Sequence, residues 1–515
     1  MCEFRHHGPL VFANGSLAMF IFIAAMPSFV VHRGIVPRAG PRIGVMMQFP
    51  KDLGGDLEGG NDEERNERVD ALKKMFYSSS DDEGQVPAQN LQTLGTFANL
   101  PCARWSMVFL PTQQVLLNVF QPQYVLMFES IMAGPRPWYY LHVLLPGGVE
   151  NLANPEYALP GGAGGASAGG AESKAPLTGT LMEIVSIEKQ PDARLAIIAQ
   201  GLTRAVVVRG TQDLPYSRAD VQLLPDAESL LAAACAASRW RKESGNELKG
   251  GEESSSGAGD SDRFTLAAVA AEEAVWRPYE NAPASLTEGV SEPGMVRTPP
   301  AFCAFYPDAA QQSVQKAQTA VAEALAAMPT TPTAAAESPL VLSALLDTSA
   351  ALAAFDDEAE AEAEDLSALL ALETQTWLEL DQFLRRIANM RDSNGNMPVP
   401  KQLLCLLPPE PAAPASGWPL EFVLANIVTE IKSAERKRRS LASPAISYDP
   451  EPFVPLDPRY PPRRRAEKLS YSIWLVIREE GLDLQPLLDT MSTADRLRMA
   501  LGRLRDLSER LPPED

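Results

Sequence analysis

Val108-Phe-Leu-Pro-Thr-Gln-Gln-Val-Leu-Leu-Asn-Val-Phe-Gln-Pro-Gln-Tyr-Val-Leu-Met-Phe-Glu129 is the stretch that decides the fold of this chain. An apolar strand is followed by a turn at Pro111, a second apolar strand and a second proline, Pro122. Apolar residues then recur at Tyr124, Met127, Phe128 and Ile131, the spacing of a helix face. Tyr139–Leu145 reads as the next strand, and 147–176 as a Gly/Ala/Ser loop too poor in apolar side chains to pack. Strands resume at Gly179–Glu188 and Arg194–Gln200, with Gln190-Pro-Asp-Ala193 as a turn between them. Arg204–Arg209 and Ala219–Leu224 are two more. Short strands joined by tight turns predict a small closed or nearly closed β-barrel.

The second half has a different grammar. Leu369, Leu372, Trp377, Leu380, Phe383, Leu384 and Ile387 recur mostly at three and four within 366–390. Trp418–Ser440 and the short aromatic segment Leu469–Ile477 follow. Ser492-Thr-Ala-Asp495 is a variant capping box that opens a helix carrying Leu497, Met499, Leu501, Leu504 and Leu507. Between the two halves, 227–365 drifts to Ala, Ser, Glu and Pro. It reads as a low-complexity insertion, disordered at Lys242–Asp262, with helices possible at 264–274 and 309–328. The acidic run Asp356–Asp365 reads as a linker or a solvated helix start.

The 515 residues carry 45 Lys and Arg against 66 Asp and Glu, a net charge of −21. That excludes general nucleic-acid binding, which needs basic surface to displace counterions. The clusters Arg436–Arg439 and Arg463–Arg465 could touch an anionic partner, and a helix C-terminus explains the first more simply. Cys2, Cys102, Cys235, Cys303 and Cys405 never fall within four residues of one another, so no Cys-x-x-Cys site exists, and free thiols in a reducing compartment are expected. Residues 1–50 hold Arg5, Arg33, Arg38 and Arg42 but one acid, Glu3, around the apolar run Leu17–Val31. That run is shorter than the roughly 20 residues of a membrane span and is interrupted by Pro27. Residues 1–50 therefore read as a transit peptide, a secretory signal being the other reading, and 51–104 as a linker.

Two blocks resemble the N-terminal, substrate-recognition domain of Lon proteases, which also occurs alone in plant and algal proteins. Pro111, Leu117, Val119, Phe120, Pro122, Tyr124 and Met127 fit the first block. Thr112 stands at a usual Gly, and Gln121 and Gln123 stand where Glu and Arg are common. Gly179, Thr180, Glu183, Ile184, Asp192, Arg194, Gly201 and Arg204 fit the second block. Pro215–Val221 with Leu224-Pro-Asp226 resembles its closing strand, and Leu487–Leu501 the end of the family's helical part. The resemblance implies an α+β fold: a PUA-like β-barrel subdomain over 105–226, then a helical subdomain over 366–511.

It also implies a domain that binds protein and does no chemistry. No Gly-x-x-x-x-Gly-Lys-Ser/Thr loop, Lon-type Ser–Lys segment or zinc cluster is present, so no catalytic, cofactor or metal residues are assigned. Glu183, Asp192 and Arg204 read as a cross-strand or solvated pair and a turn residue. Phe120, Tyr124, Met127 and Phe128 either pin the first helix to the barrel or line a groove for unfolded segments. The implied function is recognition of protein clients, with delivery to a protease or chaperone partner in the chloroplast. The alternatives are a scaffold holding one fixed partner, and a cytoplasmic location.

Overall fold

In a computed structural model, the structure describes residues 95–512 apart from 153, 162–172, 191–193, 244–337 (except 265, 266, 269 and 272), 354–357, 391–398, 400, 410–413, 415–416, 442–455, 457–459 and 480. The leader, most of the 51–104 linker, the turn at 191–193 and the proposed helix 309–328 lie outside the described residues.

The barrel begins earlier than the sequence suggested. Strand β1 is Thr96–Trp105, inside the segment read as linker, while Val108–Leu110 is not a strand. Pro101 and Arg104 break the alternation that would have marked β1. A bulge at Asn99, which has φ 53, re-registers the strand against its neighbour. The next elements are β2 Gln114–Val119, α1 Pro122–Met132, β3 Tyr139–Leu144, β4 Thr178–Lys189, β5 Leu195–Gln212 and β6 Ser217–Leu223. The sheet order is β2-β5-β4-β3-β1-β6, and β5 also pairs with β6. That extra pairing closes a ring of five strands, with β2 left outside it as a sixth strand on the first half of β5.

Closure depends on β5 being one long strand, where the sequence suggested two. Gly201 lies in its interior, and a Cβ there would stand 2.4 Å from the Leu110 carbonyl oxygen. The glycine therefore serves close backbone approach. Thr112 N–H donates to the Gly201 carbonyl at 2.9 Å, and Gly201 N–H to the Gln113 carbonyl at 2.8 Å. One apolar cluster takes Leu100, Cys102, Leu141, Leu181, Ala205 and Val221 from all five ring strands and fills the barrel. A second cluster lies between the sheet and α1, around Trp105, Leu117, Met127, Phe128 and Tyr140.

The helical part contains α2 Ala227–Glu243, α3 Pro339–Ala353, α4 Glu358–Met390, α5 Lys401–Cys405, α6 Leu424–Leu441, α7 Pro462–Ser472, α8 Trp474–Ile477, α9 Gln485–Asp489 and α10 Thr493–Arg510. Its core gathers Trp377, Phe383, Leu404, Leu424, Leu469, Leu488 and Leu504, and Leu110 of the barrel reaches into it. Each such side chain contributes about 1.5–3 kcal/mol by burial. Both ends of the supposed insertion belong to this packing. Leu230 and Ala233 of α2 and Val341 and Leu345 of α3 cluster with Val206 and Leu224 of the barrel. The Ala-, Ser-, Glu- and Pro-rich composition of the whole 227–365 stretch hid these two helices at its ends. Cys405 is disulfide-bonded, against the expectation of free thiols, whereas Cys102 and Cys235 are buried and outside any disulfide.

Candidate functional site

Arg204 and Asp226, two charged residues of the family-like segments, meet where the barrel joins the helices. Register places Arg204 opposite Thr180 and Glu183 opposite Gln200, so the pair weighed from sequence does not form across strands. Arg204 is 1% exposed. Its Nη2 donates to Asp226 Oδ1 at 2.6 Å, and its Nη1 to the Leu488 and Thr490 carbonyls at 2.8 and 2.7 Å. Arg496 of α10, 0% exposed, donates to both oxygens of Asp226 and to the Thr490 carbonyl. Its guanidinium also lies 4.2 Å over the Tyr471 ring. Thr493 Oγ1 donates to Asp226 as well. Burial opposes the charge on Asp226, yet Arg496 and Arg204 hold its pKa below the ordinary carboxylate value.

Glu228, two residues further on, caps α10. Its carboxylate accepts from Thr493 N–H, Ala494 N–H and the Ser492 hydroxyl at 2.8–2.9 Å. Ser492 in turn accepts from Asp495 N–H, as the capping motif predicts. Across the same seam Gln485 Nε2 donates to the Thr178 carbonyl at 3.0 Å, and Thr112 Oγ1 lies 3.0 Å from Ser472 Oγ. Asp226 is fully engaged as an acceptor, so this junction joins two subdomains and has no group poised to move a proton.

Burial holds two further titratable groups neutral. Burial drives the His142 pKa down to about 4, only partly offset by its bond to the Met107 carbonyl. The ring is therefore neutral, and its Nε2 donates to that carbonyl at 2.8 Å. Burial pushes the Cys102 thiol up to about 12. Among the described residues no three His, Cys, Asp or Glu side chains lie close enough to hold a metal ion. No described helix is long and apolar enough to cross a membrane. Of the basic clusters, Arg465 is buried and forks onto Glu373 at 2.7 and 2.8 Å, while Arg463 pairs with Glu362 at 3.4 Å. That cluster holds α7 to α4 and offers no free anion site; the Arg436–Arg439 side chains lie outside the described ones.

The four candidate groove residues separate. The Tyr124 hydroxyl donates to the Arg104 carbonyl at 2.7 Å, and its ring stands edge-on to Trp105 at 5.1 Å. Met127 and Phe128 are fully buried, Phe128 edge-on to Tyr140 at 5.2 Å. These three pin α1 to the sheet and line no groove. Phe120 alone reaches the surface, at 37% exposure. Leu116, which sequence reading passed over, is 39% exposed, and Asn118 between them is also exposed. The three alternate along β2 and its exit, while Val115, Leu117 and Val119 on the other face are buried. The only signal in the sequence was that alternation, and Val-Leu-Leu-Asn-Val-Phe masks it because both faces are apolar.

Two further properties mark this face. All 24 residues from Trp105 to Phe128 are uncharged, in a chain of net charge −21. Among the described residues, β2 pairs only with β5, in unbroken register from Gln114↔Gln200 to Val119↔Leu195. Its other edge has no strand partner among the described residues.

No curated protein matches the chain. Among solved structures, it is similar to a Lon N-terminal domain protein from Xanthomonas campestris, at 17% identity over 28% of this chain and 73% of that one, with a TM-score of 0.18. It is also similar to the N-terminal domain of the Mycobacterium avium complex Lon protease, at 11% identity over 45% of this chain and 94% of that one, with a TM-score of 0.17. Residues 99–256, which hold the barrel and its junction with the helices, match the family model of the ATP-dependent protease La (LON) substrate-binding domain.

Proposed function

We propose that this chain is a polypeptide-recognition module that does no covalent chemistry and contacts its clients through Leu116, Asn118 and Phe120. The observation that carries the reading is the uncharged surface of β2 and the start of α1 on a strongly acidic protein, within the segment matching a substrate-binding domain. An apolar patch rimmed by neutral amides (here Gln114, Asn118, Gln121 and Gln123) suits an unfolded segment. In this reading Tyr124, Met127 and Phe128 act by fixing the patch. The adaptor role follows: clients held here are passed to a protease or chaperone. The acid-poor, Arg-bearing residues 1–50 support a chloroplast address, which a fluorescent fusion of the full chain tests.

The binding test is fluorescence anisotropy of a reduced, carbamidomethylated, permanently unfolded protein titrated with the full chain. Saturable binding that falls about tenfold or more in a Leu116→Asp/Phe120→Asp variant supports the reading, that being the scale of losing two anchors worth about 1 kcal/mol each. Equal binding by wild type and variant refutes it.

A further inference from the structure

We infer that β2 is a docking strand, and that an extended, uncharged segment of another polypeptide adds to its free edge as a further strand of the sheet. This rests on the polypeptide-binding reading and specifies how the client is held. Sheet edges in folded proteins are ordinarily blunted by charge, proline, bulges or shortness. Gln114–Val119 has no charge, no proline and no break in its register with β5. It is six residues long, about 20 Å of strand whose outer edge has no partner among the described residues. Only an extended chain can satisfy that row of donors and acceptors at once.

Charge selects the occupant. The chain carries −21 overall, so acidic segments are repelled at long range. Close to the edge the 105–128 stretch has no ion to pair with a charge of either sign. Glu129, the charged residue that follows the stretch, is already paired with Lys189 at 3.2 Å. A docked segment therefore meets apolar neighbours on both faces: Leu116 and Phe120 on one, the borders of Val115, Leu117 and Val119 on the other. The fitting client is a run of about six uncharged residues, β-branched or aromatic at alternate positions. A second copy of this chain is the less suitable occupant, since two bodies of −21 must then approach each other.

The test uses the full chain and a fluorescent, capped hexapeptide, Thr-Val-Thr-Phe-Thr-Val, on a diglycine spacer. Two analogues carry backbone N-methyl groups on the odd or the even amides. An added strand presents only one of these sets to β2. One analogue should bind about a hundredfold more weakly than the parent, and the other within about threefold, as expected for losing two or three backbone hydrogen bonds. A Leu116→Lys variant, its fold checked by circular dichroism, should bind the parent about tenfold more weakly. Equal binding of all three peptides overturns strand addition while leaving polypeptide recognition standing. So does failure of the parent peptide where the unfolded reporter binds. Failure of both probes overturns the recognition reading itself. A dimer by light scattering that excess peptide does not dissociate shows the edge taken by a second copy, and overturns the proposal.

Discussion

Replacing Asp226 by alanine tests the junction most severely. The carboxylate accepts from Arg204, from both terminal nitrogens of Arg496 and from Thr493. Without it, two guanidiniums of 1% and 0% exposure keep only neutral hydrogen-bond acceptors, chiefly the Leu488 and Thr490 carbonyls and the Ser470 and Thr493 hydroxyls. Breaking a buried ion pair from one side costs about 3–5 kcal/mol, because the remaining charge is left uncompensated. The assay is urea unfolding followed by tryptophan emission, using variants that retain Trp105 in the barrel or Trp377 in the helical core. Both probes should report a loss of about that size, since Asp226 holds the two parts together. Replacing Arg204 and Arg496 by methionine and Asp226 by leucine together should recover more than half of it. The folded pKa of Asp226 is depressed, so its contribution is complete above the unfolded value of 3.8, fades as pH falls below it and is lost once pH has fallen through the lower folded value. A loss below about 1 kcal/mol in Asp226→Ala would refute the claim that this carboxylate organises the seam.

Three other outcomes follow from particular side chains. His142 has a folded pKa of about 4 against 6.5 unfolded, so the unfolded chain takes up the proton first. Stability should be flat above about pH 6.5 and fall by about 3 kcal/mol towards pH 4, a slope that urea midpoints should show disappearing in His142→Phe. Thr112 has φ 73, where a β-branched residue is strained by about 1–2 kcal/mol, but its hydroxyl bonds Ser472. Thr112→Gly should therefore be near neutral, and Thr112→Val, which keeps the strain and loses the bond, about 1–2 kcal/mol worse in the same assay. A Cβ on Gly179 would stand 2.2 Å from the His142 carbonyl, so Gly179→Ala should cost about 3 kcal/mol by denaturant midpoint.

The legible parts were those in which one pattern dominates. Short apolar runs bounded by turn residues marked β3 and β4, helical spacing marked α1 and α4, and Ser492 marked the start of α10. The α+β fold, barrel then helices, followed from those elements together with the two Lon-like blocks. What stayed hidden depends on contacts across long sequence separations. β1 looks like linker because Pro101 and Arg104 interrupt it, and only pairing with β3 and β6 makes it a strand. Arg204 and Asp226 were visible as motif residues, but not as partners of Arg496, 270 positions beyond Asp226. For the site, sequence grouped Phe120, which is exposed, with the buried Tyr124, Met127 and Phe128, because core and groove residues share one composition. Leu116 was indistinguishable from Leu117 until the pleat of β2 assigned them opposite faces.

The measurement closest to the central claim is hydrogen–deuterium exchange of the full chain, free and saturated with the unfolded reporter. Free-edge amides of β2 should exchange readily in the free protein and slow by about a hundredfold when the client is bound, with the protection centred on 114–121. Protection confined to the helical part, or no change at saturation, would contradict the account.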